Sequence, residues 1–190
     1  ERFGVEIHVR SAFHPQKGTW IVAREEQMLE KAFVSSLALD KSEVRLTIVG
    51  VPDQPGVAAS VLSALAEADI PVDMIIQSAP SQAGRNDMSF MTPKACALKA
   101  KKALEAAARR LRAERVDLNE TVAKVSAVGT GFRHSPKIAS LMFKTLAEHK
   151  INIHMISSSD LRVSCIVDLA CGEPALRALH KAYGLGKGKR

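Results

Sequence analysis

Residues Pro55–Ile75 read PGVAASVLSALAEADIPVDMI, and residues Pro136–Ile156 read PKIASLMFKTLAEHKINIHMI. At an offset of 81, Pro55/Pro136, Ala58/Ala139, Leu65/Leu146, Ala66/Ala147, Glu67/Glu148, Ile70/Ile151, Met74/Met155 and Ile75/Ile156 are identical. Val57/Ile138, Leu62/Phe143 and Val72/Ile153 exchange one apolar side chain for another. Upstream the offset becomes 79, matching Val49-Gly50 to Val128-Gly129, so the second copy carries two extra loop residues. An ordered match of this kind marks a duplicated supersecondary unit.

Working outward, Val44, Leu46 and Ile48 alternate with Arg45 and Thr47, which predicts a half-buried strand. Pro52-Asp53-Gln54-Pro55-Gly56 is a breaker cluster and therefore a loop. Val57, Val61, Leu62 and Leu65 follow helical spacing up to about Ala68, then come β-rich runs at Ile70–Gln77 and Asp87–Met91, then a basic helix. The second copy repeats the order: strand Val122–Val128, loop Gly129–Pro136, helix Lys137–His149, strands Ile151–Ser157 and Arg162–Asp168, helix Glu173–Tyr183. Each copy runs β-α-β-β-α and needs one more strand to become a ferredoxin-like βαββαβ unit, so the fold class is α+β. Two spare strands exist, Ala32–Leu39 and Arg115–Asn119. Chain order sends Arg115–Asn119 to the first copy and leaves Ala32–Leu39 for the second, which interlocks the halves by strand exchange; the sequence equally permits the opposite assignment. Residues 1–30, with short strands around Val5–Val9 and Gly18–Val22, belong to neither copy and read as the end of something larger. The domains are expected at 31–120 and 121–190.

The chain has 190 residues, 46% of them hydrophobic, enough for two small cores and too apolar for a disordered chain. Its longest stretch free of charge, Gln54–Ala66, is too short to span a bilayer, so no membrane partner is expected. The chain begins at Glu1 with no apolar leader and reads as a fragment or processed chain. Cys96, Cys165 and Cys171 form no C-x-x-C and fit a reducing cytoplasm. The net charge of +7 invites a nucleic-acid reading, and eight basic residues against two acidic ones fall between Lys94 and Arg115. Ala97, Ala100, Leu104, Ala107 and Leu111 make that segment an amphipathic helix whose charges are a solvated face. No aromatic pair is interleaved for base stacking, so a basic nucleic-acid-binding module is the alternative reading and not the leading one.

The chemistry-bearing motifs are few. There is no phosphate-binding G-x-x-x-x-G-K-[ST], Gly129-Thr130-Gly131 is a lone turn, and the six histidines show no H-x-x-x-H spacing for zinc. Ser157-Ser158-Ser159-Asp160 lies at a strand end without a G-x-S-x-G elbow, so no catalytic constellation is expected. Asp53, by contrast, precedes a helix that opens Gly56-Val57-Ala58. Free N–H groups at a helix start suit a carboxylate, and Asp53 suits an ammonium, which together match a zwitterionic amino acid. The plain alternative is that Asp53 caps the helix.

These residues carry a family resemblance. Val49-Gly50-Val51-Pro52-Asp53-Gln54-Pro55-Gly56-Val57-Ala58 with Val72–Gln77 resembles the first ACT domain of aspartate kinase. Val122–Gly129, His134-Ser135-Pro136 and Ile151–Asp160 resemble the second, and Val9–Phe13 with Gly18–Val22 resembles the end of the kinase catalytic domain. The resemblance implies a regulatory region or separate regulatory subunit that is itself not catalytic. ATP and Mg²⁺ then belong to the catalytic part, and no cofactor is expected in this chain. It implies threonine, lysine or both as feedback effectors. It also implies an effector site of Asp53, Gly56, Val57, Ala58 and Gln77 with Asn152 and Ile153. A second pocket would use Asp73, His134, Ser135, Ile138, Ala139 and Ser159. Read from the residues alone, Asn152, Gln77, Asp73 and His134 are equally surface positions. Exposed sheet edges pair readily, so a homodimer with the effector at its seam is expected, joined to a catalytic domain or subunit.

Overall fold

The computed structural model describes residues 7–10, 13, 17–21, 34–81 and 83–186. A small hairpin, β1 (Ile7–Val9) against β2 (Thr19–Ile21), precedes two four-stranded antiparallel sheets. The first unit contains β4 (Glu43–Pro52), α1 (Val57–Glu67), β5 (Asp73–Gln77), β6 (Arg85–Pro93), α2 (Ala97–Leu111) and β7 (Arg115–Asn119). The second contains β8 (Val122–Val128), a short helix α3 (Gly131–His134), α4 (Pro136–Glu148), β9 (Met155–Ser158), β10 (Arg162–Asp168) and α5 (Gly172–Ala182). Its fourth strand is β3 (Ser36–Asp40), which lies before the first unit in the chain.

The sheet orders are β5-β6-β4-β7 and β3-β8-β10-β9, the same arrangement twice. The strand preceding each repeat therefore pairs with the other repeat, β7 with β4 and β3 with β8. The two crossings are built alike. Asp40 Oδ1 accepts from the Ser42 N–H at 2.8 Å and its hydroxyl at 2.6 Å. Asn119 Oδ1 accepts from the Thr121 N–H and hydroxyl, both at 2.9 Å. A side chain that bonds the backbone two residues on closes a tight turn, and that turn carries the chain from one sheet to the other. The units are interlocked by reciprocal exchange.

Each sheet buries one face under its two helices. Leu46 and Ile48 of β4 meet Val61 and Leu65 of α1 and Ala100 and Leu104 of α2 in one core. Val125, Ala127, Val163 and Cys165 meet Met142 and Leu146 of α4 and Leu179 of α5 in the other. Alternation along β4 leaves Arg45, Thr47 and Val49 on the opposite, open face. The basic residues Lys99, Lys102, Arg109 and Arg110 of α2 lie exposed, opposite its buried stripe.

Two strands start later than their β-rich sequence suggests, at Asp73 and Met155. The reason is how the preceding helices end. Asp69 (φ +49°) and Lys150 (φ +56°) turn left-handed, and the next N–H returns to the helix: Ile70 to Leu65 O at 3.0 Å, Ile151 to Leu146 O at 2.9 Å. Ile70 and Ile151 are thereby spent on helix termination, with their side chains buried. Arg112 (φ +54°) and Gly184 (φ +67°) end α2 and α5 in the same way. Inside the loop expected over Gly129–Pro136, the extra residues of the second copy form α3. The expected strand start at Ala32 lies outside the described residues.

Candidate functional site

Asp53 leaves β4 and enters the loop before α1. Its N–H donates to Gly84 O at 2.9 Å, and its Oδ1 accepts from Asn86 Nδ2 at 3.2 Å. It does not cap α1: the capping position is Gly56, at φ +89°, with no side-chain bond to the first turn among the described residues. A Cβ placed on Gly56 would meet nothing within 4 Å, so the backbone there can be approached closely. Val57 is buried and anchors the helix start, whereas Gly56 and Ala58 are exposed. Asn86 is 3% exposed, and its Oδ1 has no hydrogen-bond partner among the described residues. A buried acceptor left so costs about 1–3 kcal/mol unless a donor reaches it. An orphan acceptor, a carboxylate and an uncapped helix start thus converge at one loop. Sequence reading missed Asn86, which no local pattern distinguishes from any other strand residue.

Gln77 is exposed at the end of β5, opposite Met88. Asn152 is exposed and Ile153 half-buried in the stretch leading into β9. Ile153 lines a groove of about 570 Å³ between that stretch and the open face of the first sheet, where Arg45, Thr47, Ser89 and Asn119 also stand.

The six residues of the second predicted set are not gathered in one chain. Ser135 starts α4, with Ile138 buried and Ala139 half-buried one turn on. The Ile138 carbonyl accepts from the Tyr183 hydroxyl at 2.9 Å. His134 closes α3; its side chain lies outside the described ones. Ser159 turns the β9–β10 hairpin, its N–H donating to Arg162 O at 2.8 Å. Asp73 stands elsewhere, bound to Lys124 Nζ at 2.6 Å. Lys124 is four residues before the end of β8, roughly 13 Å along the strand from the segment that leads to His134 and Ser135.

Lys124 is the polar centre of the junction between units. Besides Asp73 it donates to Glu43 Oε2 at 2.8 Å and lies 3.8 Å from Asp40 Oδ2. Burial would lower its pKa, but the bonds from Asp73 and Glu43 outweigh that and raise it. The Lys124 hydrogen bond holds the Asp73 carboxyl below the usual range, and the Ser42 hydroxyl does the same for Asp40. Beside this cluster Met74, Met91, Val122, Met155 and Ile166 form a small apolar patch shared by the two sheets. Methionine tolerates repacking, so the contact can shift without opening. Lys124 and Glu43 were not among the sequence candidates; the available signal was Arg45 and Lys124 falling at equivalent strand positions in the repeat. Among the described residues no cluster of His, Cys, Asp and Glu could hold a metal ion, and no helix is long and apolar enough to cross a membrane.

Comparison with known proteins supplies the remaining finding. A family model described as an ACT domain matches residues 46–107 and 125–183, once per unit. An aspartokinase of Thermus thermophilus is 41% identical over 188 residues, 98% of this chain and 46% of its own length. This chain therefore spans just under half the length of such curated relatives. The regulatory subunit of aspartate kinase from Thermus thermophilus, in its ligand-free form, superposes with a TM-score of 0.75 at 42% identity, covering 80% of this chain and 99% of that one. A structure of aspartokinase alpha and beta subunits gives a TM-score of 0.74 at 43% identity, with 80% and 99% covered.

Proposed function

We propose, since the chain belongs to the ACT-domain family of aspartate kinase regulatory subunits, that it senses threonine, lysine or both and feeds back on the phosphorylation of aspartate. In this reading residues 1–30 belong to the end of the catalytic domain, 31–120 to the first ACT domain and 121–190 to the second, with β3 lent across. ATP and its metal are handled by the catalytic portion, and the assembly works in the cytoplasm as a homodimer.

The observation that carries the reading is the loop at the start of α1. The first-turn N–H groups, reachable over Gly56, suit the effector's carboxylate, while Asp53 and the Asn86 oxygen suit its ammonium. Gln77, Asn152 and Ile153 complete the pocket from sheet edges that meet at the dimer seam. The second set, Asp73, His134, Ser135, Ile138, Ala139 and Ser159, forms a further pocket to which Asp73 contributes from another copy. Its separation from His134 and Ser135 within one chain supports that division. Inhibition then requires the amino acid to bind one arrangement of the units more tightly than another, because equal affinity shifts nothing.

Calorimetric titration with threonine and with lysine tests this. Saturable binding of at least one, weakened about tenfold or more by Asp53→Ala, is the expected result. Heats indistinguishable from dilution for both, or an Asp53→Ala chain binding as tightly as the original, overturn it.

A further inference from the structure

Because the units are copies, each side chain at their junction has a counterpart to be compared with. Arg45 is the counterpart of Lys124 at the offset of 79. Both lie on an interior strand and point to the open face: Lys124 sits opposite Asp40 and Ile166, Arg45 opposite Asn119 and Met91. Their surroundings differ in charge. Lys124 is clasped by Asp73, Glu43 and Asp40. The corresponding positions around Arg45 are His154, Val122 and Asn119, and none is a carboxylate. Arg45 is half-buried, and its guanidinium has no ion pair or hydrogen bond among the described residues. A guanidinium that faces a groove without a carboxylate partner offers a docking point for an anion.

The space for that anion is present. Arg45 opens into the groove of about 570 Å³, with Thr47, Ser89, Asn119 and His154 around it. Of the acidic groups in the groove, Asp117 is occupied by Arg115 at 3.1 Å. Asp87 accepts from the Gly50 N–H and stands at the far end, roughly 13 Å along the strand. Asp87 would repel an anion that reached it, so the ligand must be short.

We propose that this groove is a second small-molecule site, for a short carboxylic acid. One carboxylate docks bidentate on Arg45 and takes the part that Asp73 and Glu43 play around Lys124. Because the groove is walled by both units, such a ligand ties them together on the side that lacks a clasp of its own.

The test uses the 190-residue chain, succinate as the probe, and two variants. Arg45→Gln removes the cation. Asn119→Asp supplies a carboxylate opposite Arg45 while keeping the turn bond to Thr121, as Asp40 does with Ser42. Wild type is expected to bind succinate saturably and Arg45→Gln about tenfold or more weakly. Asn119→Asp should also lose succinate binding and melt at a higher temperature than wild type. Threonine and lysine titrations of the same samples should be unchanged, which keeps the outcome separate from that of the effector site. No saturable binding by wild type, or equal binding by Arg45→Gln, overturns the proposal. So does an Arg45→Gln chain that sediments as a smaller species while succinate binds neither form, which would assign Arg45 to an acidic side chain of a second copy.

Discussion

Replacing Lys124 with Met removes the charge at the junction while keeping side-chain length beside the methionine patch. Three carboxylates would then face one another without a cation. They are not equally buried: the Glu43 side chain is 12% exposed, against 36% for Asp40 and 40% for Asp73. The latter two can rehydrate, whereas Glu43 cannot. Removing one partner of a fully buried pair costs about 3–5 kcal/mol, and discounting for the two open carboxylates leaves about 2–3 kcal/mol. For a chain of this size that is a fall in Tm of roughly 4–12 °C. Circular dichroism melts and urea titrations give the value, in a single transition because each unit holds a strand of the other. Lys124→Met/Glu43→Gln should recover about half of the loss or more, since it removes the stranded charge as well. A loss below about 0.5 kcal/mol, or a double variant as unstable as the sum of the singles, would refute the reasoning.

Three further outcomes follow from the same geometry. The carboxyls of Asp73 and Asp40 are held low, so their contribution is complete above the ordinary Asp value of about 3.9 and is lost as pH falls below it. Lys124 is held high, so its contribution persists through the ordinary Lys value of about 10.4 and is lost above it. The stability gap between wild type and Lys124→Met should therefore be flat from roughly pH 5 to 9 and narrow on both sides. Lys150→Gly relieves a left-handed residue that ends α4 and should raise the urea midpoint, by about 0.5–1 kcal/mol in stability. Asp69→Gly should gain less, because Asp tolerates that conformation. Burial pushes the Cys165 thiol up to about 12, while Cys96 and Cys171 are half-buried, so an aromatic disulfide reagent should titrate two thiols in the native chain and the third only on unfolding.

The fold was legible because the repeat states it twice. Alternation in Val44–Ile48 and helical spacing after Gly56 each give one element, and their recurrence at Val122 and Pro136 turns two local readings into one architecture. Counting strands left two to spare and chain order favoured the exchange of β3 and β7, but the opposite assignment stayed open because the pairing depends on long-range contacts that no local pattern contains. Strand starts were not legible: Ile70 and Ile151 have strong β character, but the helix ends claim them. The loop proposed to hold the effector drew notice through Asp53 and Gly56, which stand in a recognisable run. Asn86 and Lys124 were not, because a polar residue on a strand acquires meaning only from what the sheet places beside it. The internal alignment held one unused clue, a cation at 45 and at 124 with carboxylates supplied to only one of them.

The central claim is that one amino-acid site is assembled from the Asp53 loop of one copy and the Asn152–Ile153 stretch of another. Mixing Asp53→Ala chains with Asn152→Ala chains and titrating with the amino acid that wild type binds tests it most directly. The account predicts that each variant alone binds weakly, while the mixture regains wild-type affinity at roughly one quarter of the wild-type number of sites, as random pairing of two-site dimers requires. A mixture that binds no better than either variant, from chains that exchange freely, would contradict it.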